Sequence, residues 1–221
     1  MHKHLYLAGL LILNGCAAVT PAPIRSLDPN THGQVILVQG NLKRPQTARL
    51  SFWEFDSGGW QKIYGGIRAV VGRNGLAKAG EKREGDGRTP SGIYGLGPAF
   101  GYFPAVKTTL VYRQSGKNDF WVDDPASAQY NQWVEGSPQA QSFEKLRRDD
   151  HLYKLALVVQ YNTDPVVPGA GSAIFVHIWR RYDHPTAGCV AMSERDLRRI
   201  LRRLDQSDHP AIILQPHNGE E

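Results

Sequence analysis

From residue 35 onward the apolar residues of this chain come in short runs separated by glycine-rich turns, and helical spacing sets in only near the end. Residues 35–39 make a compact apolar run, and 48–55 alternate, with Ala48, Leu50 and Phe52 on one face. Shorter candidates lie at 67–71 and 93–96. Residues 155–161 and 173–178 are rich in β-branched and aromatic side chains and read as strands, as does 211–214 at the end. Only Leu197, Ile200, Leu201 and Leu204 recur at i, i+3, i+4 and i+7, behind Ser193 and Asp196 in the positions of a capping box. A second, shorter helix is expected around 142–148. The predicted fold class is therefore mainly β, a sandwich or irregular barrel carrying a C-terminal amphipathic helix.

The 221 residues suit one substantial domain with a leader and a tether. Lys3 followed by an uncharged apolar run over 5–13 has the form of a signal-peptide core, too short to span a bilayer as a mature helix. It ends in Leu13-Asn14-Gly15-Cys16, which looks like a bacterial lipobox, with Cys16 as the lipidated new N-terminus. The organisation expected is a lipoprotein signal peptide at 1–15, a Pro-rich flexible tether at 16–30, one catalytic domain at 31–216 and a disordered tail at 217–221. An acylated Cys16 would hold the protein at a membrane, and Ala17 after it favours the outer membrane of a Gram-negative envelope. The net charge of +5 is spread out, apart from Arg198, Arg199, Arg202 and Arg203, which read as a solvated helix face rather than a nucleic-acid patch.

Two cysteines are present, Cys16 and Cys189. With Cys16 lipidated, Cys189 has no partner in the chain and is a thiol to be explained. It follows the loop Pro185-Thr186-Ala187-Gly188 and is separated by eleven residues from His177, which stands between Val176 and Ile178 in an apolar strand. A strand end folding back would set imidazole beside thiol. The imidazole could then lower the thiol's pKa and later protonate a leaving amine. N–H groups of the Gly188–Cys189 turn could hold an oxyanion, and these parts make an acyl-transfer site. The residues alone leave alternatives open: Cys189 as a small buried hydrophobe, His177 as a structural residue, or His184 as the base. A zinc site is disfavoured, since no C-x-x-C or H-x-x-x-H spacing occurs. Gly85-Asp86-Gly87 reads as a tight turn rather than a metal loop, and the segment 121–125 as packing rather than groove lining.

These stretches together resemble the L,D-transpeptidase catalytic-domain (YkuD-type) family. The resemblance rests on a strand His followed by a Thr-x-Gly-Cys turn at 186–189, and on Lys82-Arg83-Glu84-Gly85-Asp86-Gly87-Arg88-Thr89-Pro90-Ser91-Gly92, similar to the family's K-x-E-G-D-x-x-T-P-x-G hairpin. Trp121 to Pro125 with Tyr130-Asn131, Tyr161-Asn162 and 168–175 extend it over roughly 35–214. It implies Cys189 as nucleophile, His177 as general base oriented by a backbone carbonyl, and Thr186 and Gly188 shaping the turn. The implied substrates are peptidoglycan stem peptides at the cell envelope, during wall and cell-shape remodelling, with no metal, cofactor or nucleic acid. Ala187 and Ala191 depart from the family's common His and Asn or Arg, which puts hydrolysis of the thioester beside transfer. Arg180 is a candidate substitute contact for a substrate anion. The alternative from another class is a wall-binding lipoprotein without catalysis.

Overall fold

The computed structural model describes residues 19–216; the expected leader, Cys16 and the expected tail lie outside them. Twelve strands form: β1 (Gln34–Gly40), β2 (Thr47–Asp56), β3 (Gly59–Val70), β4 (Gly92–Gly101), β5 (Tyr112–Gln114), β6 (Asp119–Val122), β7 (Trp133–Glu135), β8 (Phe143–Lys145), β9 (Leu155–Val159), β10 (Phe175–Ile178), β11 (Val190–Met192) and β12 (Ala211–Gln215). The helices are α1 (Ala22–Arg25) and α2 (Glu194–Leu201). One sheet runs β12-β1-β2-β3-β11-β10-β9-β4-β5, and β12 also pairs with β4. The first eight of these strands therefore close into a mixed barrel, with β5 appended outside. The sandwich-or-barrel expectation resolves to a barrel.

Alternation fills the barrel. Ile36, Val38, Leu50, Phe52, Val176, Ile178, Val190 and Met192 belong to one buried cluster, which also takes in Leu197, Ile200 and Leu201 of α2 and Leu204, three residues beyond its end. The predicted helix thus lays its stripe on the barrel core. Ser193 Oγ accepts from Asp196 N–H at 3.1 Å, a cap that contributes about 1 kcal/mol.

Outside the barrel a second core forms over β9 and β10. The small sheet β7-β6-β8 covers them, and Phe100, Trp121, Tyr153 and Phe175 meet edge to face with ring centroids 5.1–5.9 Å apart. Such pairs add about 0.5–1.5 kcal/mol each beyond burial. Strands covered on both faces read as unbroken apolar runs, which is why 155–159 and 173–178 lack alternation.

Three expectations need correction. The helix expected around 142–148 is instead strand β8, paired antiparallel with β6. Phe143 and Leu146 mimic helical spacing, but Phe143 packs on Phe120 across the strands at 4.9 Å between ring centroids. Within the stretch read as tether, α1 packs onto the domain: Ile24 is fully buried with Val35, Leu37, Trp53 and Ile213 on the barrel's outer face. One apolar residue among prolines gives no periodicity to read. Strand β3 also starts well before residue 67, because its first half is half-exposed and polar yet still laddered to β2.

Candidate active site

Strands β10 and β11 run parallel, with Val176 opposite Val190 and His177 opposite Ala191. Val176 and Val190 point into the barrel. His177 and Cys189, one residue out of phase with them, face the other way, toward the second core. The eleven-residue spacing is thus a tight crossover between neighbouring strands. Its loop is stitched to the segment after β3: Thr186 N–H donates to Val71 O and Arg73 N–H to Thr186 O, both at 2.9 Å.

The turn before the nucleophile is held from two sides. Thr186 Oγ1 donates to Cys189 O at 2.6 Å and accepts from Gly188 N–H at 3.2 Å. Thr89 Oγ1 also donates to Cys189 O, at 3.4 Å, and accepts from Gly72 N–H. Gly188 has no left-handed φ; its need is space, since a Cβ there would lie 3.1 Å from Arg88 O and 3.3 Å from Ile174. That differs from the tight-turn role expected for it. The Gly188 N–H is already committed to Thr186, so of the two N–H groups expected to meet an oxyanion, only that of Cys189 has no acceptor among the described residues.

The loop at 82–91, expected as a hairpin, buttresses this turn. Asp86 accepts from Arg83 N–H, Arg88 N–H and Lys82 Nζ at 2.8–2.9 Å. Burial works against its charge, but these bonds hold the carboxyl below the usual range. Its oxygens are occupied by the loop it closes, and among the described residues no cluster of metal-ligating side chains occurs.

Cys189 is 7 % exposed. Its thiol donates to Ala173 O at 3.2 Å, and Phe175 N–H approaches Sγ at 3.4 Å. His177 Nδ1 lies 2.8 Å from Ile178 O; a carbonyl only accepts, so Nδ1 carries the proton and Nε2 is left as a base. The Tyr153 ring stands edge-on to the imidazole at 5.2 Å. One open cavity of about 210 Å³ is lined by His177, Cys189, Arg180, His184, Thr186 and Ala191, among others.

The electrostatics differ from a pre-activated pair. Burial first, and then the Glu144 carboxyl, push the Cys189 thiol up to about 12. Burial pulls His177 down to about 4. Both groups rest uncharged at neutral pH, so burial outweighs the lowering of the thiol's pKa expected from a nearby His.

Of the other expected residues, Arg180 lines the cavity but its half-exposed side chain is paired with Asp150 at 3.2 Å. His184 lines it from an exposed loop. Trp121 packs, as expected, and donates to Asn131 Oδ1 at 2.9 Å, whereas Asp123 of the same segment lines a cavity beside Cys189 instead of packing. Glu144 and Tyr153 were not singled out in the sequence. Tyr153 Oη donates to Glu144 Oε2 beside the thiol, and no sequence motif links residues so placed by the fold.

A family model described as the L,D-transpeptidase catalytic domain, YkuD, matches residues 35–213. The chain belongs to the YkuD family. Its matched span runs from β1 through the barrel's closing strand β12, so the YkuD domain and the described barrel coincide. A solved structure, the helical cell shape determining protein Pgp2 from Campylobacter jejuni, is similar at 19% identity and a TM-score of 0.45, covering 88% of this chain and 53% of that one. The chain thus spans about half the length of that relative. No curated protein matches the chain.

Proposed function

We infer that this YkuD domain is an L,D-transpeptidase of the bacterial cell envelope, with Cys189 as nucleophile and His177 as base. The observation that carries the reading is that both side chains leave adjacent parallel strands on the same face and line one open cavity. Sγ attacks the carbonyl of the amide between the diamino acid and the terminal D-residue of a stem peptide. His177 Nε2 takes the thiol proton and passes it to the leaving amine. Because both groups rest neutral, this proton moves as the S–C bond forms. The Cys189 N–H, which has no acceptor among the described residues, is available to the oxyanion, and Thr186 and Gly188 hold the turn that carries it. Arg180 is placed to meet a substrate carboxylate if it releases Asp150.

The thioester then passes to an amine. Incubation of the pure protein with a tetrapeptide, with and without a diamino-acid amine acceptor, tests this by product mass. The cross-linked product is expected only with acceptor. Tripeptide alone in both samples would make the enzyme an L,D-carboxypeptidase, an outcome the small Ala187 and Ala191 side chains lining the cavity leave room for.

The anchoring reading belongs here too: residues 1–15 as leader and Cys16 as the lipidated residue, probed by Cys16→Ser. That variant is expected in the soluble fraction of the producing cell, and its retention in membranes would refute the anchor.

A further inference from the structure

Two stretches that carry the family resemblance take no part in the acyl-transfer chemistry: Trp121 with Tyr130-Asn131, and Tyr161-Asn162. In the fold they meet at one buried amide. Asn131 is 4 % exposed and lines neither of the two cavities that border Cys189. Its Oδ1 accepts from Trp121 Nε1 at 2.9 Å and from Ala173 N–H at 3.1 Å. Its Nδ2 donates to Tyr161 O at 3.0 Å and to Asn162 O at 2.7 Å. Every hydrogen-bonding position of the side chain is thereby used. Flipping the amide would set Nδ2 against two N–H groups and Oδ1 against two carbonyls, so its orientation is fixed.

Ala173 is the strained member of this network. Its φ is 53°, a left-handed conformation that a residue with a Cβ keeps only when its surroundings impose it. They do so residue by residue. Gly171 N–H donates to Tyr130 Oη at 3.0 Å, and Gly171 O accepts from Asn162 Nδ2 at 2.8 Å. Ser172 Oγ donates to Glu84 at 2.7 Å. Ala173 N–H is taken by Asn131, and its carbonyl meets the nucleophile: the Cys189 thiol donates to Ala173 O at 3.2 Å. Phe175 N–H, two residues on, approaches Sγ at 3.4 Å. The segment that Asn131 pins is therefore the one that holds the sulfur, whereas Thr186 and Thr89 hold only the Cys189 backbone.

We propose that Asn131 is a positioning residue for the nucleophile: by fixing Ala173 in its left-handed turn, the amide aims the Ala173 carbonyl at Sγ and sets where the thiol waits before attack. The proposal rests on the acyl-transfer reading and adds to it a residue that acts only through Ala173. A carbonyl accepts a hydrogen bond but does not take the proton. The thiol therefore stays protonated while it waits. It gives the proton up when S–H turns from Ala173 O to His177 Nε2, as the sulfur forms its bond to the acyl carbon. Without the amide, Ala173 relaxes out of the turn and Sγ gains other rotamers. Fewer thiols then stand within reach of a bound carbonyl.

The test follows the S–H stretching band by infrared spectroscopy on the full chain carrying Cys16→Ser, in which Cys189 is the one thiol left. Asn131→Gly is the variant, since glycine accepts the φ of 57° found at 131 and removes only the side chain. The parent is expected to show the band of a hydrogen-bonded thiol. In Asn131→Gly the band should move toward that of a free thiol. Acylation by saturating tetrapeptide should slow about ten-fold or more, with the half-saturating concentration unchanged. Adding Ala173→Gly should restore band and rate, because glycine keeps the left-handed turn unaided; a merely structural Asn131 gives no such rescue. An unmoved band in a folded Asn131→Gly chain overturns the proposal, and so does a moved band that Ala173→Gly leaves unrestored. Should Asn131→Gly alone fail to fold, the double variant decides. A folded chain with the parent's band supports the proposal, and an unfolded chain or a free-thiol band overturns it. Absence of any adduct on the parent chain refutes the acyl-transfer reading instead, while the band still reports where the thiol proton lies.

Discussion

Replacing Cys189 by alanine is expected to remove every covalent adduct between the protein and a stem tetrapeptide, and to lower turnover by on the order of 10⁴-fold or more. No other described thiol exists to take over, and Cys189 is the thiol that lines the open cavity with His177. The backbone around it does not depend on the sulfur. The Cys189 carbonyl is held by Thr186 and Thr89, and the thiol adds only contacts to Ala173 O and Phe175 N–H. The alanine chain should therefore fold, losing about 1 kcal/mol for a small cavity and one weak bond. Intact mass after exposure to substrate, with circular dichroism as the folding check, measures both. An adduct that persists on the Cys189→Ala chain would refute Cys189 as nucleophile.

His177→Gln is expected to slow acylation by about 10²–10⁴-fold, the usual worth of a positioned general base. Glutamine can still donate to Ile178 O but cannot take a proton. The parent's alkylation by iodoacetamide should rise about ten-fold per pH unit from neutrality upward with no early plateau, because the thiol titrates near 12. A plateau below pH 8 would mean a thiolate–imidazolium pair at rest, contrary to the burial seen here. The same residue gives a stability signature whose sign is fixed. Folded His177 has its pKa lowered from 6.5 to about 4, so the unfolded chain binds the proton first. Stability is retained above pH 6.5 and falls as pH drops through the window to 4, by roughly 3 kcal/mol. The glutamine variant lacks that loss, and denaturant unfolding at pH 7 and pH 4.5 measures the difference.

The parts of this fold legible in the sequence were those governed by short-range pattern. Leu197, Ile200, Leu201 and Leu204 repeat as a helix must, and Ala48, Leu50 and Phe52 alternate as a half-buried strand must. The nearness of His177 and Cys189 was also legible, since eleven residues between parallel neighbours leave few other arrangements. Closure of β12 onto β4 was not, because nothing in 92–96 or 211–214 names its partner. Strand β8 was hidden by an accidental i, i+3 pair, Phe143 and Leu146. The thiol's resting state escaped for another reason. A nearby His suggests activation, but the sheet over Cys189 and the Glu144 carboxyl on that sheet act in the opposite direction, and Glu144 lies in a segment read as helix.

The barrel seam has a consequence for how the chain reaches this state. β12, the last strand, inserts between β1 and β4, with Val35 opposite Ala211 on one side and Tyr94 opposite Ile212 on the other. Until residues 211–215 arrive, β1 and β4 each present an unpaired edge, the feature that invites pairing between separate chains. Pairings of such long sequence separation also form slowly, because loop closure must come before the contacts that reward it. A chain emerging from its N-terminus cannot close its barrel until β12 is released, and both sheet edges stay open to other chains until then.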